Sequence, residues 1–343
     1  MKRVASMVAV AAAVVGLSAC AVQQGDAEPL SGPTYERALA LLRTESHSPD
    51  AAVRANCIEA LQASRDPRAM EVIEEGLHDK EWVVRFAAAM AAGKRRADSV
   101  RPVLNTMVTN DPNRSVRAAC IYALRRLGDS THMSDLSGIL ASDDPEARAN
   151  TALVLGLIGD PSAIPLLQSE RAEPDIRVRV EITAAMARLG DPSAQQVIVS
   201  WAVNRFAEDQ WSAMTVCADL PPEIATSPLQ LGLQDFPRLP ANMPELPTAQ
   251  VKDLTVRRQL VAARSLAKLR NGEGVGVALD NLDNPNANLR ALAALALGDM
   301  LNSRQAPGLE KMLADADVRV QQAAAAAIVA IYARANQSAA SSF

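Results

Sequence analysis

An all-α solenoid is the fold class the sequence predicts, and three observations predict it. One phrase recurs about every 31 residues, its apolar positions keep helical spacing, and only 3% of the 343 residues are aromatic. The phrase is clearest at 116–129 and 178–192. Its arginine slot falls at Arg54, Arg85, Arg117, Arg148, Arg179, Arg290 and Arg319, with Gln210 and Gln259 standing in two further units. The steps are 31, 32, 31, 31, 31, 49, 31 and 29 residues, so one is irregular. Seven residues after each slot stand Leu61, Ala92, Leu124, Leu155, Met186, Cys217, Leu266, Leu297 and Ala326. All are apolar, which justifies counting the glutamine-bearing units and gives about nine repeats.

Each repeat is predicted to be a helical hairpin. Val178, Ile182, Ala185, Met186 and Leu189 recur at i, i+4, i+7, i+8 and i+11 and form one face of a helix. Gly190 suits a left-handed helix end, Asp191 a cap, and Pro192 the first position of the next helix. Residues 68–77 and 163–168 read as such second helices, shorter and partly apolar. Neither helix is long enough to be stable alone, so the hairpins must stack.

These residues resemble the HEAT-like repeats of about 30 residues first associated with phycobilisome lyases, over roughly 50–332. The resemblance implies a right-handed superhelix of about nine stacked hairpins, in which a repeated Asp and Arg pair along the turns. Asp50, Asp79, Asp111, Asp144, Asp175 and Asp315 precede their slots by four to six residues. The slot arginines are therefore expected to be structural rather than a basic stripe for a ligand.

Ahead of the repeats stand Met1-Lys2-Arg3, an apolar run over 4–15, and Leu17-Ser18-Ala19-Cys20. The pattern is that of a secretion signal, and the apolar run is too short for a stable membrane span. Its ending resembles the bacterial lipoprotein lipobox, which implies acylation of the Cys20 thiol and cleavage before it. The expected organisation is a signal peptide at 1–19, a lipidated cysteine and flexible tether at 20–33, a repeat array at 34–337 with a Pro-rich insertion at 221–250, and a disordered tail at 338–343. The tether reaches about 20 Å. Multiple acyl chains would hold the protein to a membrane of the cell envelope, the outer membrane being favoured.

Without Lys2 and Arg3 the chain carries 33 basic and 39 acidic side chains, a balance of −6. Nucleic acid is therefore not an expected partner, since such binding rests on clustered cations. The one cluster, Lys94-Arg95-Arg96 with Arg101, reads as a solvated helix end. Cys57 and Cys120 occupy the same slot two repeats apart, on the order of 20 Å at the usual helix spacing, which is too far for a disulfide. With Cys217 they read as buried core residues. His47, His78 and His132 show no metal-ligand spacing, so neither metal nor cofactor is expected. Glu71, Glu74 and Glu75 read as a solvated face, and 272–276 as a hairpin turn rather than a phosphate cradle.

The irregular step between Gln210 and Gln259 holds about 18 extra residues and seven prolines at 221–247. That stretch is expected not to be helical. Trp201, Phe206, Trp211 and Phe236 lie near it and are the candidate partner-binding residues, although aromatics that fill a defective repeat would look the same. The expected function is a non-enzymatic, membrane-anchored scaffold for a partner protein or peptide, otherwise monomeric. The alternatives are a lyase-type enzyme related to the bilin lyases, or a permanent accessory subunit of an envelope complex.

Overall fold

A computed structural model describes residues 32–170, 173–204, 207–235, 248–300 and 307–340. The described residues form helices and turns without strands. The helices are α1 (Gly32–Glu45), α2 (Ala51–Leu61), α3 (Pro67–Gly76), α4 (Trp82–Arg95), α5 (Arg101–Asn110) and α6 (Arg114–Arg126). They continue with α7 (Asp135–Leu140), α8 (Pro145–Ile158), α9 (Ile164–Ser169), α10 (Ile176–Arg188), α11 (Pro192–Val203) and α12 (Ala207–Cys217). The last six are α13 (Pro222–Leu233), α14 (Thr248–Lys268), α15 (Val275–Asp280), α16 (Ala287–Met300), α17 (Pro307–Met312) and α18 (Val318–Ala340). The even-numbered helices carry the phrase, and the odd-numbered ones from α3 onward are the second helices of the hairpins.

Local chemistry starts and stops these helices as the phrase demands. Asp50, Asp144 and Asp175 accept backbone N–H groups at the starts of α2, α8 and α10. Asp191 accepts from Ala194 N, and Pro192 takes the first position of α11. The apolar faces then meet in one continuous core along the array, from Leu39 and Ile58 through Leu124 and Ile182 to Leu297 and Ile328. Cys57, Cys120 and Cys217 are free and buried in it.

The repeated charges divide into two jobs. Asp residues four before a slot cap helices. Carboxylates six before a slot pair with the arginine of the preceding unit: Arg54 Nε and Nη2 donate to Asp79 at 2.8 and 2.8 Å, and Arg85 binds Asp111 in the same two-pronged way. Arg148 does so with Glu173 and Arg290 with Asp315. Each arginine also donates to a carbonyl of its own turn, as Arg54 Nη1 does to Ser48 O at 2.8 Å. Each carboxylate accepts a backbone N–H two residues on, as Asp79 does from Glu81 at 2.8 Å. One guanidinium thus ties two successive turns together. The rung fails where position 142 is serine, and there Arg117 Nε and Ser142 Oγ are buried without a hydrogen-bond partner.

The structure moves the last slot from Arg319 to Gln321. Gln321 Nε2 donates to Asp315 O, six residues back, as the slot arginines do. Seven residues on, Ile328 is fully buried, whereas Ala326 lines a cavity. The final step becomes 31 residues in place of 29, and Arg319 instead pairs with Asp317 and with Asn288. Glycines eight after a slot give the same register, because Gly93, Gly156 and Gly298 lie against Ala123, Ala185 and Ala327, each six after the next slot. A Cβ on Gly298 would come within 2.6 Å of Ala327 Cα. Gly298→Val should therefore cost about 1–3 kcal/mol by overpacking, read as a lowered urea midpoint, while Gly138→Ala, with nothing within 4 Å, should not.

The Pro-rich stretch differs from expectation in being partly helical. Pro222 opens α13 at a position that needs no N–H, and Pro228 lies inside the helix. An interior proline costs about 3 kcal/mol, offset here by packing of Ala225, Pro228, Leu229 and Gly232 on α11 and α14. α13 is the second helix of its unit. Part of the extra length extends α14, whose slot Gln259 is its twelfth residue where Arg54 is the fourth of α2.

The array closes on itself. Each phrase helix packs on the next, and α18 packs directly on α2. Gln322 Nε2 bridges that seam, donating to Val53 O at 3.2 Å and reaching Cys57 Sγ at 3.1 Å. α1 packs on α18 and α2, so it supplies the second helix that the last unit otherwise lacks. Its Tyr35 ring stacks on Tyr332 at 4.2 Å between centroids, and its hydroxyl meets Ser64 Oγ at 2.9 Å. On one flank Arg37 bonds Glu310 of α17, and on the other Glu36 holds Arg68 of α3. Glu71 and Glu75, read as a solvated face, meet Arg43 and His47 at the same seam.

Candidate functional site

Nine phrase helices in an unbroken circuit turn one face inward. The inward positions stand two before, two after, five after and nine after each slot, one stripe of each helix. In α16 they are Asn288, Leu292, Leu295 and Asp299, in α18 Arg319, Ala323, Ala326 and Ala330, and in α14 Arg257 and Arg264 appear. With Asn56 and Glu59 of α2 and Ala63 just beyond it these residues line a cavity of about 710 Å³. Its wall mixes leucine and alanine with charge. Arg264 pairs with Asp299 at 2.8 Å, and the Arg257 guanidinium lies 3.8 Å from the centre of the Trp211 ring.

Lys94 occupies the inward register of α4. It stands nine after its slot on α4, and its pKa is lowered, first by desolvation in the surrounding protein, against the pull of Glu59; Lys268 adds to the lowering and Asp219 opposes it. Lys268 belongs to α14, four helices away by the short way round. Glu181, two after its slot on α10, has its pKa raised by desolvation, with Arg188 opposing. A second cavity of about 580 Å³ lies at the ends of α14, α16 and α18, lined by Lys268, Arg270, Asp299 and Arg334 among others.

Of the four aromatics singled out in the sequence, Trp211 reaches the lumen wall through Arg257, whereas Trp201 is half-buried on α11 against the core. Phe206, Phe236 and the lipobox residues Leu17, Ser18, Ala19 and Cys20 lie outside the described residues. Arg54, Arg85, Arg148 and Arg290 lie in the turn-to-turn ladder, Arg117 faces the failed rung, Arg179 donates to Glu173 O and Pro174 O of its own turn, and Arg319 lines the lumen cavity. Sequence reasoning missed Glu59, Arg257, Arg264 and Lys268, which stand five after, two before, five after and nine after their slots, offsets that only the ring brings to one face. Among the described residues no group of three or more His, Cys, Asp or Glu is placed to hold a metal ion, and no helix is long and apolar enough to cross a membrane.

A repeat array of this geometry defines a class of protein, the helical-repeat scaffolds. The family model for HEAT repeats matches residues 36–125 and 133–215, just over half of the chain, and the chain belongs to that family. No curated protein sequence matches it. Among solved structures it is similar to a chain of the complex of CpcE and CpcF of phycocyanin lyase from Nostoc sp., at 19% identity and a TM-score of 0.39 over 64% of this chain and 94% of that one. It is also similar to human deoxyhypusine hydroxylase, at 16% identity and a TM-score of 0.35 over 88% and 97%. A third is an engineered protein at 17% identity and a TM-score of 0.29, over 88% and 93%. No shared activity follows from likenesses at this level.

Proposed function

We propose that this protein is a non-enzymatic interaction scaffold, held by a lipid on Cys20 to a membrane of the bacterial envelope, whose ring of helices receives a segment of a partner protein or peptide. The observation that carries the reading is the lumen cavity of about 710 Å³, where Leu292, Leu295, Arg257 and Glu59 stand together on rigid helices. Apolar patches with a few placed charges suit peptide side chains, and the buried ladder leaves the helices little freedom to reorganise. A photo-crosslinking amino acid at Leu292 or Ala326 in intact cells, followed by mass spectrometry, tests the scaffold. Crosslinks from these positions to one protein are the expected result, and crosslinks only from outward positions such as Lys311 would overturn the lumen as the binding face.

The anchor is tested separately. Cys20→Ser should leave the membrane fraction on a carbonate wash, and a variant that stays would remove the lipid from the proposal. Retention of the partner through high salt would make the protein a permanent accessory subunit rather than a transient scaffold.

A further inference from the structure

Five charged side chains line the cavity of about 710 Å³: Glu59 of α2, Arg257 and Arg264 of α14, Asp299 of α16 and Arg319 of α18. Three of them are answered within the protein. Arg264 pairs with Asp299 at 2.8 Å, and Arg319 pairs with Asp317 at 2.6 Å and donates to Asn288 Oδ1 at 3.0 Å. The two left over, Arg257 and Glu59, are exposed, opposite in sign and without an ion-pair partner among the described residues. They stand on the two flanking helices of the wall, because its helices pack in the order α14, α16, α18 and α2. The two helices between them present Leu292, Leu295, Ala323 and Ala326.

Arg257 is prepared for one kind of group. Its guanidinium lies over the Trp211 ring of α12, 3.8 Å from the ring centre. The contact occupies one face of the planar group and limits its rotation, while the N–H groups point outward along its edges. Such an edge binds a carboxylate through two parallel hydrogen bonds. Arg264 lacks that freedom, since its Nε already donates to Asp299. Glu59 is the converse, a carboxylate with no cation within ion-pair distance among the described residues.

We infer that this wall receives an extended peptide segment with an acidic side chain at one end, a basic side chain at the other and apolar residues between. Arg257 forks the acid, Glu59 holds the base, and the leucines and alanines take the middle. Three helix steps separate α14 from α2, about 25 Å at the usual interaxial distance and less across the concave face. About five to seven residues of extended chain cover that length. A nucleic acid or other polyanion suits the wall poorly, because it would bring like charge to Glu59 and phosphates to the apolar middle. The inference rests on the scaffold reading and specifies the partner's chemistry. Its test uses purified protein, so crosslinking from Leu292 in cells can stand where the peptide fails.

The experiment is fluorescence anisotropy with the purified full chain and two labelled heptapeptides, acetylated and amidated so that only side chains carry charge. Both have leucine and alanine in the middle; one has aspartate first and lysine last, the other the reverse. Saturable binding of one of them is expected. Arg257→Gln should weaken it about tenfold, and Glu59→Gln about threefold or more. Arg257→Lys, which keeps the charge and loses the fork, should weaken it nearly as much as Arg257→Gln. Both residues are exposed, so unchanged melting temperatures should accompany these losses. The decisive readout is the pairing: the Arg257→Gln loss should vanish with a peptide bearing asparagine for aspartate, and the Glu59→Gln loss with one bearing glutamine for lysine. Lys311→Ser on α17 should change nothing. No saturable binding of either peptide, losses that persist with the neutral peptides, or tighter binding of a single-stranded oligonucleotide would overturn the inference.

Discussion

Replacing Leu39 and Leu42 of α1 by alanine is expected to open the ring at its seam, with loss of hydrogen-exchange protection in α18, some three hundred residues away in sequence. Both leucines are fully buried, and each substitution should cost about 2–5 kcal/mol. The physical point is where the cost appears. In an open solenoid each repeat contacts only its neighbours, and damage to the first helix frays the first units. Here α1 is the outer helix of the last unit, stacking Tyr35 on Tyr332 and bonding Arg37 to Glu310. Faster exchange should appear in α18 and in α2, leaving α8 and α10 protected. The scattering radius should grow with it. Exchange that quickens only from α1 to α3 would mean that the closure contributes nothing to stability.

Glu173→Ala is expected to be the most damaging change to the charge ladder. It leaves the Arg148 guanidinium, its side chain 14% exposed, without the carboxylate that accepts from its Nε and Nη2. Breaking a buried pair in this way costs about 3–5 kcal/mol, because the remaining charge is uncompensated. The exposed pair Arg114–Asp143 should lose no more than about 1 kcal/mol when Arg114 becomes alanine. Replacing both partners, Arg148→Met with Glu173→Leu, should recover most of the loss, and urea midpoints read all three. Acid provides an independent check. Hydrogen bonds from the slot arginines hold Asp79, Glu173 and Asp315 below the ordinary carboxylate range. The native state thus binds fewer protons than the unfolded chain at these sites. Their contribution is complete above about pH 5 and is lost as pH falls through the lowered values. Midpoints should be flat from pH 8 to about 5 and decline below about 4, with a shallower decline in the double variant.

The ladder also explains what sequence reasoning reached and where it stopped. An arginine at fixed intervals with an Asp four to six residues ahead was legible as a repeated device, because both partners are in the phrase. Which Asp caps and which pairs was not legible, since one bond is local and the other crosses to the preceding unit. Glu173 escaped notice because it is not an Asp, although its carboxylate fills the same place. Arg319 was assigned to the last slot for its residue type, and Gln321 occupies it, because a glutamine reaches the same turn carbonyl. Prolines at 221–247 argued against a helix, yet Pro222 sits where a helix wants one, and burial outweighs the bond lost at Pro228.

The lumen was less legible, for a related reason. Lys94, Arg257, Arg264 and Lys268 are ordinary surface charges in one dimension, and nothing in their spacing says that they share an interior. The run at 94–96 read as a solvated helix end, and for Arg95, which donates to Leu61 O, tertiary contact decided otherwise.

The sequence alone determined the repeat unit: helix period, caps, glycine ends and apolar faces are local and sum unit by unit. Tertiary structure alone decided that the circuit closes and that α1 completes the last hairpin. Closure depends on the small rotation between successive units accumulated nine times, and no single repeat carries that angle in its residues. The same accumulation brings Glu59, Arg257, Arg264 and Asp299 from separate helices to the wall of one cavity.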